Sequence, residues 1–289
     1  MMMPTWNPAL FDWNESIYFR HPAFNNSENA KEAKNELADA FKVCAATSEA
    51  RQSQANALTK MKYGKLGYDT AFISNDLSNA NQEAARLTFM FYKNEDLLGT
   101  YSVFLETAEG VLAERSYGKE INILREKGKS LIELSRFAVE PNIAPRISRQ
   151  LHAVMLNFLG FLCQEILSKK SILFTNIDPI STRDPELIIE INPHHALFWK
   201  GLGWKVIGPE RWCKRVNAAS ILMSESCENF ADYTKLDSQK LAPGTAWKFV
   251  TRYFASSSQI EEIRQNLLQT LHRTMRRSVP SKKMQGIRR

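Results

Sequence analysis

The chain has 289 residues, of which 44% are hydrophobic and 24% charged, a composition typical of a folded domain with extensions. The four cysteines are widely spaced and form no CxxC pair, which argues against a disulfide framework or a zinc site and favours reduced thiols in the cytoplasm. The most apolar stretch, residues 151–167, is interrupted by polar side chains, and the N-terminal residues lack a basic start followed by an apolar core. We therefore expect neither a membrane span nor a signal peptide.

Most of the formal charge of +7 is at the C-terminal end. Residues 259–289 contain eight basic and two acidic side chains, so this segment alone carries +6. Such a segment is either a solvated tail or a contact for an acidic partner: nucleic acid, an anionic membrane surface or an acidic protein. The sequence has no helix-turn-helix or zinc pattern, which argues against nucleic acid.

The first predicted elements are an arm, a helix and a hairpin. Residues 1–32, rich in Asn, Pro and aromatic side chains, predict an irregular arm, and the Ala-rich run from Ala33 to Leu66 predicts a helix. Two β-rich runs, Arg86–Tyr92 and Leu97–Glu106, flank a polar tetrapeptide and predict an antiparallel hairpin.

The remaining elements alternate between helices and strands. In chain order we predict a helix over Lys119–Lys127, a strand over Ser130–Val139, a long amphipathic helix over Ile147–Lys169, a strand over Glu186–Ile191, a short helix over Ala196–Lys200, strands over Trp204–Ile207 and Ala218–Met223, and an amphipathic helix over Ile260–Met275.

This order predicts an α+β fold with a mixed, mostly antiparallel sheet flanked by helices, an N-terminal helical arm and a basic C-terminal helical extension. We divide the chain into an irregular N-terminal arm (1–32), a main domain (33–225) and a C-terminal extension (226–289), with a ligand site where neighbouring strands separate.

The strand Ser130–Val139 carries polar residues inside an apolar run. If its side chains alternate regularly, Glu133, Ser135 and Phe137 share one face. Burying a carboxylate and a hydroxyl costs free energy unless they have partners, so the strand is either an edge strand facing water or part of a functional site.

The motif Glu133-x-Ser135-Arg136-Phe137-x-Val139 resembles the signature strand of the long-chain N-acyl amino acid synthases and of the related acyl-homoserine-lactone synthases, both of the GNAT-type acyltransferase superfamily. The first family is similar along more of the chain, from about Arg51 to Met223. Leu98–Ser102 resembles its Gly-Thr strand. Ile191–Trp204 resembles its Pro-x-His, Phe-Tyr and Leu-Gly-Phe elements. Val216–Ala219 resembles its Val-Asn-x-Pro-Ala element, although the proline of that element is missing here.

The resemblance implies a GNAT-like fold and an enzyme that moves a fatty acyl group from an acyl carrier protein thioester to the α-amine of an amino acid. It implies no permanently bound cofactor and no metal; the donor is acyl-phosphopantetheine on the carrier. Glu133 is then the general base, because an ammonium has no lone pair for attack on a thioester. Arg136 pairs with a carboxylate, either that of Asp76 or that of the substrate, and Ser135 lies in the same catalytic motif.

The acyl and pantetheine contacts are expected around this strand. The backbone of Phe137, Ala138 and Val139 would hold the tetrahedral oxyanion. The loop Glu140–Arg146 lacks the glycines with which acyl-CoA enzymes bind pyrophosphate and has two prolines instead. We expect Arg146 or Arg149 to contact the single phosphodiester of phosphopantetheine, and Phe104, with other strand aromatics, to line an acyl tunnel.

Arg51, Asp76, His194 and His195 are candidate contacts for the acceptor amino acid, and each also has a simpler interpretation: a solvated arginine, a helix cap or packed histidines. Three other functions stay open: an acyl-homoserine-lactone synthase, a nucleic-acid-binding module and a non-catalytic acyl binder.

Overall fold

The computed structural model describes residues 17–19, 41–46, 48–75, 86–106, 110–168 and 183–233. Within these ranges eight strands form one sheet: β1 (Ile17–Phe19), β2 (Phe41–Ala45), β3 (Arg86–Lys93), β4 (Asp96–Leu105), β5 (Lys129–Val139), β6 (Asp184–Ile191), β7 (Lys205–Cys213) and β8 (Ala218–Ser226). The helices are α1 (Glu49–Lys65), α2 (Phe72–Asn75), α3 (Glu114–Glu126), α4 (Pro145–Ser168), α5 (Ala196–Gly201) and α6 (Cys227–Tyr233), with a 3₁₀ turn over Pro193–His195 before α5.

The sheet runs in the order β1-β2-β3-β4-β5-β6-β8-β7. All neighbours are antiparallel except β5 and β6, which are parallel. The parallel pair is possible because the long helix α4 connects these strands. The predicted α+β class, with a mixed and mostly antiparallel sheet flanked by helices, is confirmed.

Helices cover both faces of the sheet. On one face α4 contributes Leu151, Met155 and Phe158 to the main core, against alternate side chains of β3, β4 and β5. On the other face the intervening strand residues pack on α1 and α3; Tyr117 of α3, for example, packs in one cluster with Leu131 of β5. Period-2 alternation along the strands therefore supplies two cores, one on each side of the sheet.

The helix α4 is the one helix among the described residues with the length and apolarity of a membrane span. The polar interruptions seen in the sequence therefore do not by themselves exclude a span. The most apolar part of α4 is 78% buried inside the protein, where it packs on the sheet. Burial to this extent is typical of the central helix of a folded core.

The predicted helix from Ala33 to Leu66 is wrong over its described N-terminal part. Residues Phe41–Ala45 form β2, which pairs with β3, and the helix begins only at Glu49, where the Ser48 side chain accepts a hydrogen bond from the amide of Arg51 at 3.3 Å. The strand forms because pairing with β3 outweighs the helix propensity of the alanines. Within the predicted irregular arm, Ile17–Phe19 is a strand paired with β2.

Three elements are longer than predicted. The strands β7 and β8 extend to Cys213 and Ser226, and the helix α3, in the middle of the chain, begins five residues before its predicted start. After β8, α6 buries Phe230 and Ala231 in the main core, so packed structure continues past residue 225. The predicted helix over Ile260–Met275 lies outside the described residues, and the division of the chain into three parts stays a prediction.

Candidate active site

The strands β5 and β6 separate in the middle of the sheet. They pair from Lys129↔Asp184 to Leu134↔Ile189, and no further pairing between them follows along β5. Because β5 is a central strand, flanked by β4 and β6, the edge-strand interpretation of its polar residues is wrong. The separation leaves a gap in the sheet directly after Glu133 and Leu134.

A β-bulge at Arg136 changes the direction of the side chains that follow. Ser102 pairs with Ser135 and Thr100 with Ala138, so Arg136 and Phe137 both lie opposite Tyr101, and Arg136 has φ +51°. The prediction that Phe137 shares a face with Glu133 and Ser135 is therefore wrong. Phe137 lies on the α4 face, where its ring stacks on that of Tyr101 with centroids 6.0 Å apart.

The separated strands open into a cleft of about 590 Å³. Its walls come from α1, β5, the loop after β5, the start of α4, the end of β6, the 3₁₀ turn, α5 and the β7–β8 turn. The lining includes Lys62, Tyr63, Phe72, Glu133, Leu134, Ser135, Arg136, Phe137, Val139, Arg149, His152, Glu190, His195, Phe198, Trp199, Cys213, Arg215 and Ser220.

Glu133 is a fully buried carboxylate in the wall of this cleft. Its Oε2 accepts a hydrogen bond from the amide of Ala113 at 3.0 Å, whereas its buried Oε1 has no hydrogen-bond partner among the described residues. Burial raises the pKa of Glu133 from 4.5 to about 7, although the positive charge of Arg215 and the amides of Ala113 and Leu112 act in the opposite direction. The group can therefore exchange a proton near neutral pH.

A second buried carboxylate, Glu190 at the end of β6, lies in the same wall. Its Oε2 accepts from Nη2 of Arg215 at 3.0 Å, and its Oε1 accepts from the hydroxyl of Ser220 at 2.8 Å. The hydroxyl of Tyr117 in turn donates to the carbonyl oxygen of Ser220 at 2.7 Å. Both oxygens of Glu190 thus accept hydrogen bonds, whereas only one oxygen of Glu133 does so among the described residues.

Tyr63 and His152 of the cleft also have shifted pKa values. Burial raises the pKa of Tyr63 to about 12, so this phenol stays neutral and can donate a hydrogen bond. Burial lowers the pKa of His152, whose Nδ1 lies 2.7 Å from the carbonyl oxygen of Ser148. Since a carbonyl only accepts, Nδ1 carries the proton and Nε2 is left as the basic nitrogen of the neutral ring.

Seven of the thirteen predicted site residues line the cleft: Glu133, Ser135, Arg136, Phe137, Val139, Arg149 and His195. The first five come from the single strand β5, so its separation from β6 places them together in the wall of the cleft.

Five other predicted residues do not line the cleft: Ala138 and Phe104, which are buried in the sheet, Arg146 and His194, which are exposed, and Arg51, which is half-buried. Arg51 donates to the carbonyl oxygen of Ala45 at 3.5 Å, and the amide of His194 donates to the side chain of Asn192. Asp76 lies outside the described residues. Arg136, its predicted partner, donates from Nη1 to Oδ1 of Asn56 at 3.0 Å.

Sequence reasoning missed Glu190, Arg215, Ser220 and His152. Glu190 had a related signal, because this carboxylate directly follows the apolar run 187–189 and would need a partner if buried. The roles of Arg215 and Ser220 depend on the β6–β8 register, for which the sequence contains no local signal. Within the described ranges, no group of three or more His, Cys, Asp or Glu side chains could hold a metal ion.

A profile of the family described as "N-acyl amino acid synthase FeeM" matches residues 54–226. None of the curated proteins matches the chain. Among solved structures, FeeM, an N-acyl amino acid synthase from uncultured soil microbes, is similar at 23% identity and a TM-score of 0.48, over 66% of this chain and 93% of that one. An N-acetyltransferase from Staphylococcus aureus Mu50 is similar at 13% identity and a TM-score of 0.38, over 65% and 98% of the two chains.

The profile match covers more than half of the chain, including the whole cleft-forming part of the sheet. The protein is therefore an acyltransferase. It belongs to the N-acyl amino acid synthase FeeM family, as the resemblance in its signature strand predicted.

Proposed function

We propose that this acyltransferase transfers a fatty acyl group from the phosphopantetheine thioester of an acyl carrier protein to the α-amine of an amino acid, in the cytoplasm. The observation that carries the proposal is the state of Glu133: buried where β5 and β6 separate, with one oxygen held by a backbone amide and the other without a partner among the described residues. A base with a pKa near the working pH is the most efficient proton acceptor.

The reaction needs one base and a site for the oxyanion. Oε1 of Glu133, directly or through a water molecule, removes a proton from the acceptor ammonium, and the freed amine attacks the thioester carbonyl carbon. The C–N bond forms, the tetrahedral oxyanion collapses and the C–S bond breaks. The pantetheine thiolate takes the second amine proton, so the products are an amide and the carrier thiol, and the first proton passes from Glu133 to solvent.

The separated end of β5 is the candidate oxyanion site. Between Ser135 and Val139 its β6-facing side has no strand partner among the described residues, so backbone amides on that side are candidate donors to a carbonyl oxygen. Donors already fixed in this geometry stabilise the developing charge without reorganisation, and one such donor typically contributes about 10²–10³ in rate.

The loop after β5 supports a carrier-bound donor over acyl-CoA. The amide of Glu140 donates to the carbonyl oxygen of Leu98 at 2.8 Å, and the amide of Asn142 donates to the Glu140 side chain. Pro141 and Pro145 have no amide proton. These four residues therefore offer no amide proton to a pyrophosphate, whereas a single phosphodiester needs fewer donors.

The surroundings of the cleft support an acidic carrier. Lys62 and Arg149 line the cleft, and Lys65 donates to the side chain of Asn142 in the loop beside it. The exposed apolar side chains Leu66 and Phe198 also line the cleft, and they are 44% and 37% exposed. Cations around an apolar opening complement an acidic protein that delivers an acyl chain. The basic C-terminal segment, outside the described residues, is a further expected contact.

The test compares acyl-carrier-protein and acyl-CoA thioesters of one chain length, with a panel of amino acids, and identifies the product by mass spectrometry. We expect a linear N-acyl amino acid and a higher kcat/KM with the carrier thioester. The double variant Lys62→Glu/Arg149→Glu should raise KM for the carrier thioester but not for a short N-acetylcysteamine thioester, whereas Lys127→Glu, on the exposed end of α3, should change neither.

A lactone product would instead identify an acyl-homoserine-lactone synthase. Preference for acyl-CoA would contradict the proposed donor. A KM for the carrier thioester that is unchanged in the charge-reversal variant would contradict it as well.

A further inference from the structure

The two buried carboxylates of the cleft lie on the same face of the sheet. In the parallel pair Glu133 is opposite Ile188, and Glu190 follows two residues later on β6, so both side chains point to the α3 side as diagonal neighbours. Ile188 and Leu131 pack with Tyr117 on that side. Glu133 and Glu190 thus flank the point where the strands begin to separate.

Their environments differ in hydrogen bonding. Glu190 is bound through both oxygens, to Arg215 and Ser220, and its side chain is 4% exposed. Glu133 is bound through one oxygen, and its other oxygen is buried without a partner among the described residues. Two acidic groups of one site whose hydrogen bonding differs in this way can have different roles, and Glu133 is the one with an oxygen left for a proton.

Arg215 is paired with Glu190, and its charge also acts on Glu133. It comes from the β7–β8 turn, its guanidinium lies 5.5 Å from the Phe72 ring centroid, and its side chain is 14% exposed. Its charge lowers the pKa of Glu133, whereas the charge of Glu190 raises it. A buried guanidinium binds a carboxylate strongly, so Arg215 is a competitor for the open oxygen of Glu133.

Other groups also surround Glu133. From the turn before α3 it meets the backbone amides of Ala113 and Leu112, which lower its pKa, the Ala113 amide more than Glu190 raises it. From α1 the cleft receives Tyr63, a neutral phenol, and along β5 it receives Arg136, which donates to Asn56.

We propose that Glu190 is a positioning residue that sequesters Arg215: together with Ser220 it fixes the guanidinium in an ion pair and so leaves Oε1 of Glu133 open to the acceptor amine. This inference rests on the proposed role of Glu133 as the base. In this interpretation the Glu190–Arg215–Ser220 group, which Tyr117 of α3 supports, keeps the base accessible and does not contact the substrate.

The test uses Glu190→Gln, Arg215→Met and the double variant, with rates expressed per folded molecule and stability measured separately by thermal unfolding. In Glu190→Gln, Arg215 no longer has the charged partner Glu190, and its guanidinium can turn to Glu133. We expect kcat/KM to fall by about tenfold or more and its acidic limb to move to lower pH by about one unit, because an ion-paired carboxylate is a weaker base.

The other two variants should behave differently. Arg215→Met should move the acidic limb to higher pH, since the charge that lowers the pKa of Glu133 is gone. In the double variant both charges are absent, so the limb should return close to its wild-type position and the rate should exceed that of Glu190→Gln. If the second substitution only restored folding, the amount of folded protein would recover but the acidic limb of kcat/KM would not move.

Glu106→Gln is the matched control. Glu106 is similarly buried, with its side chain 6% exposed, and is similarly paired with an arginine, Arg125, at 2.6 Å. It is not among the groups that shift the pKa of Glu133, so its removal should leave the limb in place.

The inference is overturned if Glu190→Gln leaves the limb unmoved or raises it, or if the double variant is no faster than Glu190→Gln. Glu133→Gln separates this failure from failure of the proposed function. If that variant keeps wild-type activity, the role of Glu133 fails; if it is inactive and the Glu190 results are negative, only the present inference fails.

Discussion

The two ends of β5 show how one strand can contribute both to a core and to a reaction site. At the closed end, Lys129–Leu134 pair with β6, and the buried carboxylate of Glu106 is neutralised by Arg125. At the open end, residues 135–139 have lost β6 as a partner, and Glu133, at the boundary, keeps one oxygen without a partner among the described residues. Full pairing gives stability, and incomplete pairing gives a group that can react.

The largest expected effect is at the boundary itself. Glu133→Gln keeps the size of the side chain and an oxygen for the Ala113 amide but removes the base. Since a positioned general base typically contributes about 10²–10⁴-fold, we expect kcat to fall by about that factor while the fold is retained. Steady-state kinetics together with circular dichroism check this, and activity within threefold of wild type would remove Glu133 from the mechanism.

A pair of substitutions contrasts the two ends directly. Leu131→Ala at the closed end deletes a side chain that is 1% exposed and does not line the cleft, so it should cost about 2–5 kcal/mol of unfolding free energy and leave kcat per folded molecule unchanged. Phe137→Ala at the open end removes a half-buried cleft residue. It should destabilise the fold less but raise KM for the acyl donor. Chemical denaturation and kinetics on both variants measure the contrast, and the reverse pattern would contradict it.

The cost of keeping the base buried can also be measured. The folded pKa of Glu133, about 7, lies above its ordinary value of 4.5. The protonated group is therefore favoured by folding, and this contribution is complete below about pH 4.5 and is lost as pH rises through 7. Glu133→Gln should consequently be more stable than wild type at pH 8, by up to about 3 kcal/mol, and the difference should shrink toward pH 5. Equal stability of the two proteins at both pH values would contradict the buried, half-satisfied state of this carboxylate.

A smaller effect is expected where β7 passes α3. A Cβ added at Gly208 would lie 2.5 Å from the ring of Tyr117 and 2.9 Å from Cβ of Leu222. Gly208→Ala should therefore cost about 1–3 kcal/mol by overpacking and displace Tyr117. Gly64→Ala in α1, where a Cβ meets nothing within 4 Å, is the control and should not destabilise. Thermal unfolding of the two variants measures this difference. Equal melting temperatures would show that the β7–α3 contact accommodates the added methyl group without loss of stability.

Periodicity predicted most of the fold. The hairpin of β3 and β4, the strand β5 and the helix α4 follow directly from their side-chain patterns, since each buries a regular face. The strand β2 was missed because its five residues form a strand only through pairing with β3, more than 40 positions later in the chain. Local propensity contains no information about such a partner.

The candidate site could be predicted in part. The polar residues of β5 alone left an edge strand open, and the resemblance of the motif Glu133–Val139 to the N-acyl amino acid synthases pointed to Glu133. The bulge at Arg136 was not predictable, because a positive φ at arginine has no local sequence signal, and without it Phe137 was assigned to the wrong face. The Glu190–Arg215–Ser220 group was missed because its members lie 5–30 positions apart in the chain and meet only through the register of β6 and β8.

The most direct test of the central claim is the pH dependence of kcat/KM for the acceptor amino acid in the wild type and in Glu133→Gln. The structure predicts a wild-type acidic limb near pH 7, where Glu133 gains its proton, and the loss of that limb in the variant. A limb near pH 7 that persists in Glu133→Gln would show that a different group takes the proton from the amine, and would contradict the account.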